Sequence, residues 1–190
     1  MYRVRKGESS LGTLNSERVA LRPIEKRDLK TLNGWKNDED VYRFLGGGFA
    51  PTSIDIQENW MTSLMDMSGN NRRFMIEDND SCPIGMIGLY EINWIHRTCE
   101  LGIFIGDASA RGKGLASEAY RLLESYASRY LNLRKIKAFV VKQNEPAVSM
   151  YCHLGFRVVG TLEKERFIDG RYCDLTLMEK FISLSFEGAE

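Results

Sequence analysis

A glycine-rich turn between a strand and a long helix constrains this chain more than any other sequence feature. The strand pattern ends at residues 103–105, Arg111-Gly-Lys-Gly114 forms the turn, and a helical pattern follows. Such a junction points free backbone N–H groups and a helix N-terminus at one place. Glycines lack Cβ, so an anion can approach the backbone closely. The turn therefore predicts a phosphate-type anion site, with an ordinary structural turn as an equally weighted alternative.

The spacing of apolar residues predicts the other elements. Alternation predicts strands at residues 18–24, 73–77, 84–95, 99–105, 135–141, 156–168 and 172–181. Helical spacing predicts helices at residues 25–36, 41–45, 114–130 and 145–154, and a further helix capped at residues 52–55 that carries Trp60, Leu64 and Met65. Pro23 is expected to end its strand, residues 46–48 to form a loop, and Asp169-Gly170 to close a hairpin. This order predicts one α/β domain with a mixed sheet, between tails at residues 1–16 and 184–190.

The charge balance and the lack of long apolar segments exclude several classes of partner. Lys plus Arg and Asp plus Glu both total 26, so the net charge is zero and a nucleic-acid partner is not expected. No stretch is long and apolar enough for a membrane span, and the polar first residues do not resemble a secretory signal. We therefore expect a cytoplasmic protein.

The cysteines and histidines are too few and too scattered for a metal site. No two of the four cysteines form a C-x-x-C pair, and the chain has two histidines, His96 and His153. We expect no metal, and we expect reduced thiols, mostly buried, at Cys82, Cys99, Cys152 and Cys173.

The turn distinguishes between classes of phosphate-binding protein. It lacks the G-x-x-x-x-G-K-S/T spacing of nucleoside-triphosphate loops, and its context does not favour a dinucleotide fold. Arg111-Gly-Lys-Gly-Leu-Ala116 instead resembles the Q/R-x-x-G-x-G/A signature of the GNAT N-acetyltransferases, whose turn holds the pyrophosphate of coenzyme A. Asn144 to Tyr151, followed by Leu154-Gly-Phe156, resembles the second cofactor element of that family. The resemblance spans residues 18–181. It is greatest to the branch of the family that contains spermidine N-acetyltransferases and enzymes like the ribosomal-protein-alanine acetyltransferases.

This resemblance implies a fold, a cosubstrate and a binding site. The fold would be a GNAT domain at residues 17–183, with a mixed, mostly antiparallel sheet and two splayed strands. Acetyl-CoA would lie in the gap between those strands, with its pantetheine arm bonded to backbone. The cofactor-binding residues implied are Phe104, Ile105, Arg111, Gly112, Lys113, Gly114, Leu115, Ala116, Asn144, Ala147 and Tyr151.

Three side chains are candidates for catalysis. A tyrosine keeps its proton at neutral pH and can protonate a departing thiolate, and the family match gives that role to Tyr151. Glu91 and Glu100 match polyamine-contacting positions and would attract a cation and relay its proton. The residues alone favour a packed aromatic beside Met150 and Phe156 for Tyr151, and an exposed strand edge for the two glutamates. The family match favours the catalytic role for Tyr151 and makes the two interpretations of the glutamates equal.

The acceptor amine stays open at this point. The spermidine enzymes carry an acidic cluster after their second helix, whereas residues 44–52 of this chain contain no carboxylate. A polyamine is therefore one hypothesis, and a nucleotide-linked amino sugar or a protein N-terminus are alternatives. An acetyl-CoA sensor without turnover is an alternative of another class. Relatives often assemble through their C-terminal strands, so a homo-oligomer is also considered.

Overall fold

The computed structural model describes residues 13–46 and 49–182, and its centre is an eight-stranded sheet. The strands are β1 (Leu14–Asn15), β2 (Ala20–Pro23), β3 (Arg72–Glu77), β4 (Pro83–Asn93), β5 (Thr98–Ile105), β6 (Lys135–Val141), β7 (Arg157–Ile168) and β8 (Arg171–Phe181). Their order is β1-β2-β3-β4-β5-β6-β8-β7, and β5–β6 is the parallel pair in an otherwise antiparallel sheet. The predicted mixed, mostly antiparallel sheet is confirmed.

Helices flank this sheet. They are α1 (Leu29–Lys36), α2 (Glu39–Tyr42), α3 (Ile54–Met65), α4 (Leu115–Arg129) and α5 (Glu145–His153). A short 3-10 turn, Lys26–Asp28, precedes α1 because Glu25 and Asp28 form a reciprocal capping box there. The predicted helix at residues 41–45 starts earlier, since the Asp38 side chain caps it by accepting from the Asp40 N–H at 2.9 Å.

Several details differ from the sequence prediction. β2 begins at Ala20 rather than at residue 18; it ends at Pro23 as expected, although Pro23 still occupies the last paired position, opposite Phe74, where a missing N–H costs little. Ser53, not Thr52, caps α3. On that helix, Trp60 is 46% exposed. The helix predicted at residues 114–130 ends at Arg129, and its C-cap residue Tyr130 is 72% exposed.

The cysteines differ from expectation in burial. All four are free thiols, but only Cys99 is buried; Cys82 and Cys152 are exposed and Cys173 is half-buried. Within residues 13–46 and 49–182, no cluster of His, Cys, Asp and Glu side chains has the grouping that a metal ion requires. None of the helices that the structure describes is both long and apolar enough to cross a bilayer.

The parallel strands β5 and β6 separate along their length. Their described pairing covers only three positions, from Thr98 opposite Lys135 to Glu100 opposite Lys137. Beyond Glu100, β5 stays bonded to β4 and β6 stays bonded to β8, so a gap opens between them. The predicted splay is therefore present, and Glu100 lies at the point where it begins.

The core packs one face of the sheet against α4. That helix buries Leu115, Ala119, Leu122 and Leu123 against the strands, as its apolar stripe predicts. The proposed division into tails and domain stays a prediction, since residues 1–12 and 183–190 lie outside the described ranges. Leu14 and Asn15, inside the predicted tail, pair with Leu21 and Ala20.

Candidate active site

The gap between β5 and β6 opens into a cavity of about 610 Å³. One wall is β5 from Glu100 to Ile105, and another is the chain from Asp40 to Gly46. The glycine-rich turn, the start of α4 and one face of α5 complete it. The predicted site residues that line it are Glu100, Phe104, Ile105, Arg111, Gly112, Gly114, Leu115, Ala116, Asn144, Ala147 and Tyr151. The structure thus brings these residues into one site.

The turn holds its shape through two glycines in the left-handed region. Gly112 has φ of 72° and Gly114 has φ of 76°, a backbone conformation that side chains with Cβ rarely adopt. Gly114 is the N-cap of α4, so the first N–H groups of this helix lie at the cavity wall formed by Leu115 and Ala116. An anion bound there would meet the positive end of the helix dipole.

The basic side chains of the turn are not aimed equally at the cavity. Arg111 folds back and donates to the carbonyl oxygens of Ile105 at 3.1 Å and Gly106 at 3.2 Å. Lys113 has an exposed side chain outside the lining set, and its carbonyl accepts from Arg18 at 3.0 Å. Arg18 also pairs with Glu118 of α4 at 2.7 Å. Arg18 was not identified as a site residue from the sequence. Its contacts with Lys113 and Glu118 hold the turn against the start of α4.

One face of α5 carries the second predicted cofactor element. Asn144 caps this helix, with its Oδ1 accepting from the Ala147 N–H at 3.4 Å. Asn144, Ala147 and Tyr151 are spaced as neighbours on one helical face, and all three line the cavity. The capping bond gives Asn144 a structural role besides any contact with a ligand.

Tyr151 is both a packed aromatic and a cavity residue. It is 6% exposed, and its ring meets Phe156 edge-on with centroids 5.2 Å apart. Burial raises the pKa of Tyr151 well above its usual value, and the charge of Glu100 raises it further. The phenol therefore keeps its proton across the neutral range and can donate a hydrogen bond into the cavity.

Glu100 and Glu91 lie near each other but in different environments. Burial raises the pKa of Glu100, and Glu91 adds to this, while Lys137 and Arg166 oppose it. Glu91 is exposed in a bulge of β4, with φ of 49°, and its N–H donates to Asn71. It acts on Glu100 through charge rather than by lining the cavity.

Two further charged residues line the cavity that the sequence did not single out. Asp40 projects from α2, and Arg166 from β7, where its Nη1 donates to the Gly46 carbonyl. Asp40 precedes residues 44–52, which contain no carboxylate, and Arg166 lies three residues before the Asp169-Gly170 hairpin turn. Neither belongs to a recognisable motif, because each reaches the site through the packing of distant segments.

The fold and this site define an acetyltransferase of the GNAT class. A family model described as an acetyltransferase (GNAT) domain matches residues 18–157, and the chain belongs to this family. It is an N-acetyltransferase, and acetyl-CoA is the cosubstrate of the enzymes of its family.

Its relatives include two bacterial spermidine N(1)-acetyltransferases. The one from Escherichia coli (strain K12) is 36% identical over 154 residues, which cover 81% of each chain. The one from Vibrio cholerae is 33% identical over 165 residues, or 87% of this chain and 93% of that protein. A crystal structure of spermidine N-acetyltransferase from Vibrio cholerae, in complex with CoA and spermine, matches with a TM-score of 0.80 at 32% identity, over 86% of this chain and 95% of that one.

Proposed function

We propose that this enzyme transfers the acetyl group of acetyl-CoA to a primary amine of a polyamine such as spermidine, by direct attack in a ternary complex. Two relatives named as spermidine acetyltransferases support the acceptor class. The observation that carries the proposal is one cavity that holds Glu100 at the start of the splay and Tyr151 on α5. A carboxylate for the amine and a phenol for the thiolate then face the same space.

The cosubstrate would be held mainly by backbone groups. Past Glu100 the edge of β5 that faces β6 has backbone groups outside the described ladder, and an extended pantetheine arm can bond to them like an added strand. The pyrophosphate would lie against the turn at Gly112 and Gly114 and the start of α4. This arrangement puts the thioester between the turn and Glu100, beside the stretch of β5 from Glu100 to Ile105, which is about 16 Å long.

Glu100 would receive the acceptor. An alkylammonium has a pKa of about 10.4, so it must lose a proton before its nitrogen can attack the thioester carbonyl. An ionised Glu100 attracts the ammonium and accepts that proton, directly or through water. Its raised pKa makes it a stronger base than an ordinary surface carboxylate.

Tyr151 would protonate the leaving group. The new C–N bond forms as the C–S bond breaks, and the sulfur departs with the electron pair of that bond. The Tyr151 proton goes to this sulfur, and the second proton, which the nitrogen loses as it attacks, restores the phenol. The first proton, accepted by Glu100 from the ammonium, is released to solvent. A coenzyme A thiol, whose acidity is like that of a cysteine thiol, has a pKa of about 8.5. The thiolate is therefore basic enough to accept a hydrogen bond from the phenol.

A panel of amines with acetyl-CoA tests the proposal. Free thiol release is followed with spermidine, spermine, a nucleotide-linked amino sugar and peptides with free N-termini. Turnover of the polyamines in preference to the other amines supports the proposal, and preferential turnover of the sugar or peptides contradicts it. Stabilisation by acetyl-CoA against heating without turnover of any amine would favour a sensor.

A homo-oligomeric state and a cytoplasmic location stay predictions. Size-exclusion chromatography with light scattering tests the oligomeric state.

A further inference from the structure

Arg166 reaches the acceptor end of the cavity from a distant strand. It lies on β7, which is separated from the splayed strand β6 by β8. The pairing of β7 with β8 shifts between Leu162 and Arg166, and Lys164 within this bulge has φ of 54°. Bulges re-aim the side chains that follow them, and here Arg166 lines the cavity and donates to the Gly46 carbonyl.

The charged groups of the cavity fall into two ends. Arg111 lies beyond the end of β5, bonded to the Ile105 and Gly106 carbonyls, in the region assigned to the coenzyme phosphates. Glu100 lies at the other end of β5, and Arg166 is close enough to oppose the rise in its pKa. Asp40 adds a second carboxylate to the α2 wall. A single guanidinium among the described lining residues therefore stands on the acceptor side.

We propose that Arg166 is a specificity-determining residue that limits the positive charge of the acceptor. The inference rests on the proposed function. A polyamine whose reacting nitrogen approaches Glu100 must place its remaining ammonium groups within range of the Arg166 guanidinium. Arg166 is half-buried in the cavity wall, so solvent screens its charge less than that of a fully exposed side chain. Each additional ammonium near Arg166 therefore binds less well than it would without this guanidinium, so Arg166 lowers the activity with tetraamines relative to diamines and triamines although Asp40 and Glu100 attract all of them.

A purely structural role for Arg166 gives a different expectation. Its bond to Gly46 ties the β7–β8 hairpin to the segment after α2, and the ion pair of Arg43 with Asp169, at 2.6 Å, ties the same two segments. If Arg166 served only as a tie, its loss would weaken turnover of every amine to the same degree. Asp169→Asn supplies the matched control: it breaks the second tie without touching the cavity lining. Asn also tolerates the φ of 48° at that turn position.

The test compares putrescine, spermidine and spermine as acceptors. kcat/KM is measured by free thiol release for the wild type, Arg166→Gln, Arg166→Lys and Asp169→Asn, with thermal unfolding recorded for each. We expect Arg166→Gln to raise the spermine-to-spermidine ratio of kcat/KM about tenfold, through loss of one nearby unit charge. Arg166→Lys keeps the charge and should keep the wild-type ratio, as should Asp169→Asn.

Two outcomes overturn this account, and they are distinguishable. An unchanged spermine-to-spermidine ratio in Arg166→Gln, or a uniform loss for all three amines, contradicts the role of Arg166 and leaves the proposed function standing. Absence of turnover of every polyamine by the wild type contradicts the proposed function itself, and the inference about Arg166 falls with it.

Discussion

Glu100 lies opposite Lys137 at the last paired position before β5 and β6 separate. This position puts a carboxylate at the closed end of the gap, where the two strands still hold each other in register. Lys137 lowers the pKa of Glu100, but burial and the nearby charge of Glu91 raise it more. The result is a carboxylate whose position is set by the sheet and whose basicity is increased by its surroundings.

Replacement of Tyr151 by Phe should lower kcat at least about a hundredfold, because the thiolate then leaves without a proton donor. The KM for acetyl-CoA should change little, since the ring and its contact with Phe156 remain. Steady-state kinetics with near-ultraviolet circular dichroism checks both. A kcat equal to that of the wild type in this variant would show that Tyr151 is not the proton donor.

Glu100→Gln should lower kcat/KM for the amine about a hundredfold, because no carboxylate remains to accept the proton. In the wild type, the raised pKa of Glu100 should shift the acid limb of the pH–rate profile above the usual range for a carboxyl group. A profile measured with one acceptor over pH 4 to 8, roughly spanning the carboxyl and imidazole ranges, tests this. An acid limb that persists unchanged in the variant would assign it to another group.

The same substitution should change stability in the opposite direction from activity. A folded-state pKa above the unfolded value means that stability is greatest below the unfolded pKa and falls as pH rises through the folded pKa. Ionised Glu100 therefore destabilises the fold at neutral pH, and Glu100→Gln should raise the Tm there. The gain should vanish below about pH 4, where the wild-type carboxyl group is protonated in both states. A lower Tm at pH 7 would contradict the direction of the shift.

Gly114→Ala should raise the KM for acetyl-CoA several-fold and cost about 1 kcal/mol of stability, because alanine at φ of 76° is strained. The nearest atom to the new Cβ would be Arg18 Nη2 at 3.8 Å, so the strain is conformational rather than a clash. Gly155→Ala is the control, since Gly155 has φ of 86° and lies outside the cavity lining. Equal KM values for acetyl-CoA in the two variants would show that the turn at Gly114 does not contribute to cofactor binding.

Asp28→Asn should destabilise the fold by about 3 kcal/mol, since removal of one partner leaves a buried charge poorly compensated. Arg22 and Asp28 are each 2% exposed and share two bonds of 2.7 Å, while Glu77 holds only the Nε of Arg22. Lys142→Gln, in an exposed pair with Asp174 at 3.7 Å, should change stability by less than about 1 kcal/mol. Urea denaturation measures both, and similar values for the two would contradict the importance of burial.

Elements with a strong local signal were predictable from sequence. The stripe on α4, the Asp169-Gly170 hairpin and the turn at Gly112 and Gly114 are each encoded by nearby residues. The sequence patterns and the family resemblance together predicted that Glu100, Asn144 and Tyr151 belong to one site, and all three line the cavity.

Features that depend on tertiary packing were not predictable in this way. Arg166 reaches the cavity because of a bulge in β7, and Asp40 because α2 packs over the splay. Arg18 contacts the glycine-rich turn at Lys113 because β2 lies beside α4. Lys113 and Glu91 were grouped with the site by motif position, but their side chains are exposed and lie outside the cavity lining. A sequence motif predicts where the backbone of a residue lies, whereas the direction of an exposed side chain depends on the residues that pack around it.

Product analysis after incubation with acetyl-CoA and spermidine tests the central claim most directly. Chromatography with mass spectrometry should show acetylspermidine formed in equal amount to the free thiol released, and the Tyr151→Phe variant should form little. Thiol release without acetylspermidine, or protection by acetyl-CoA against heating with the spermidine left unmodified, would contradict the account.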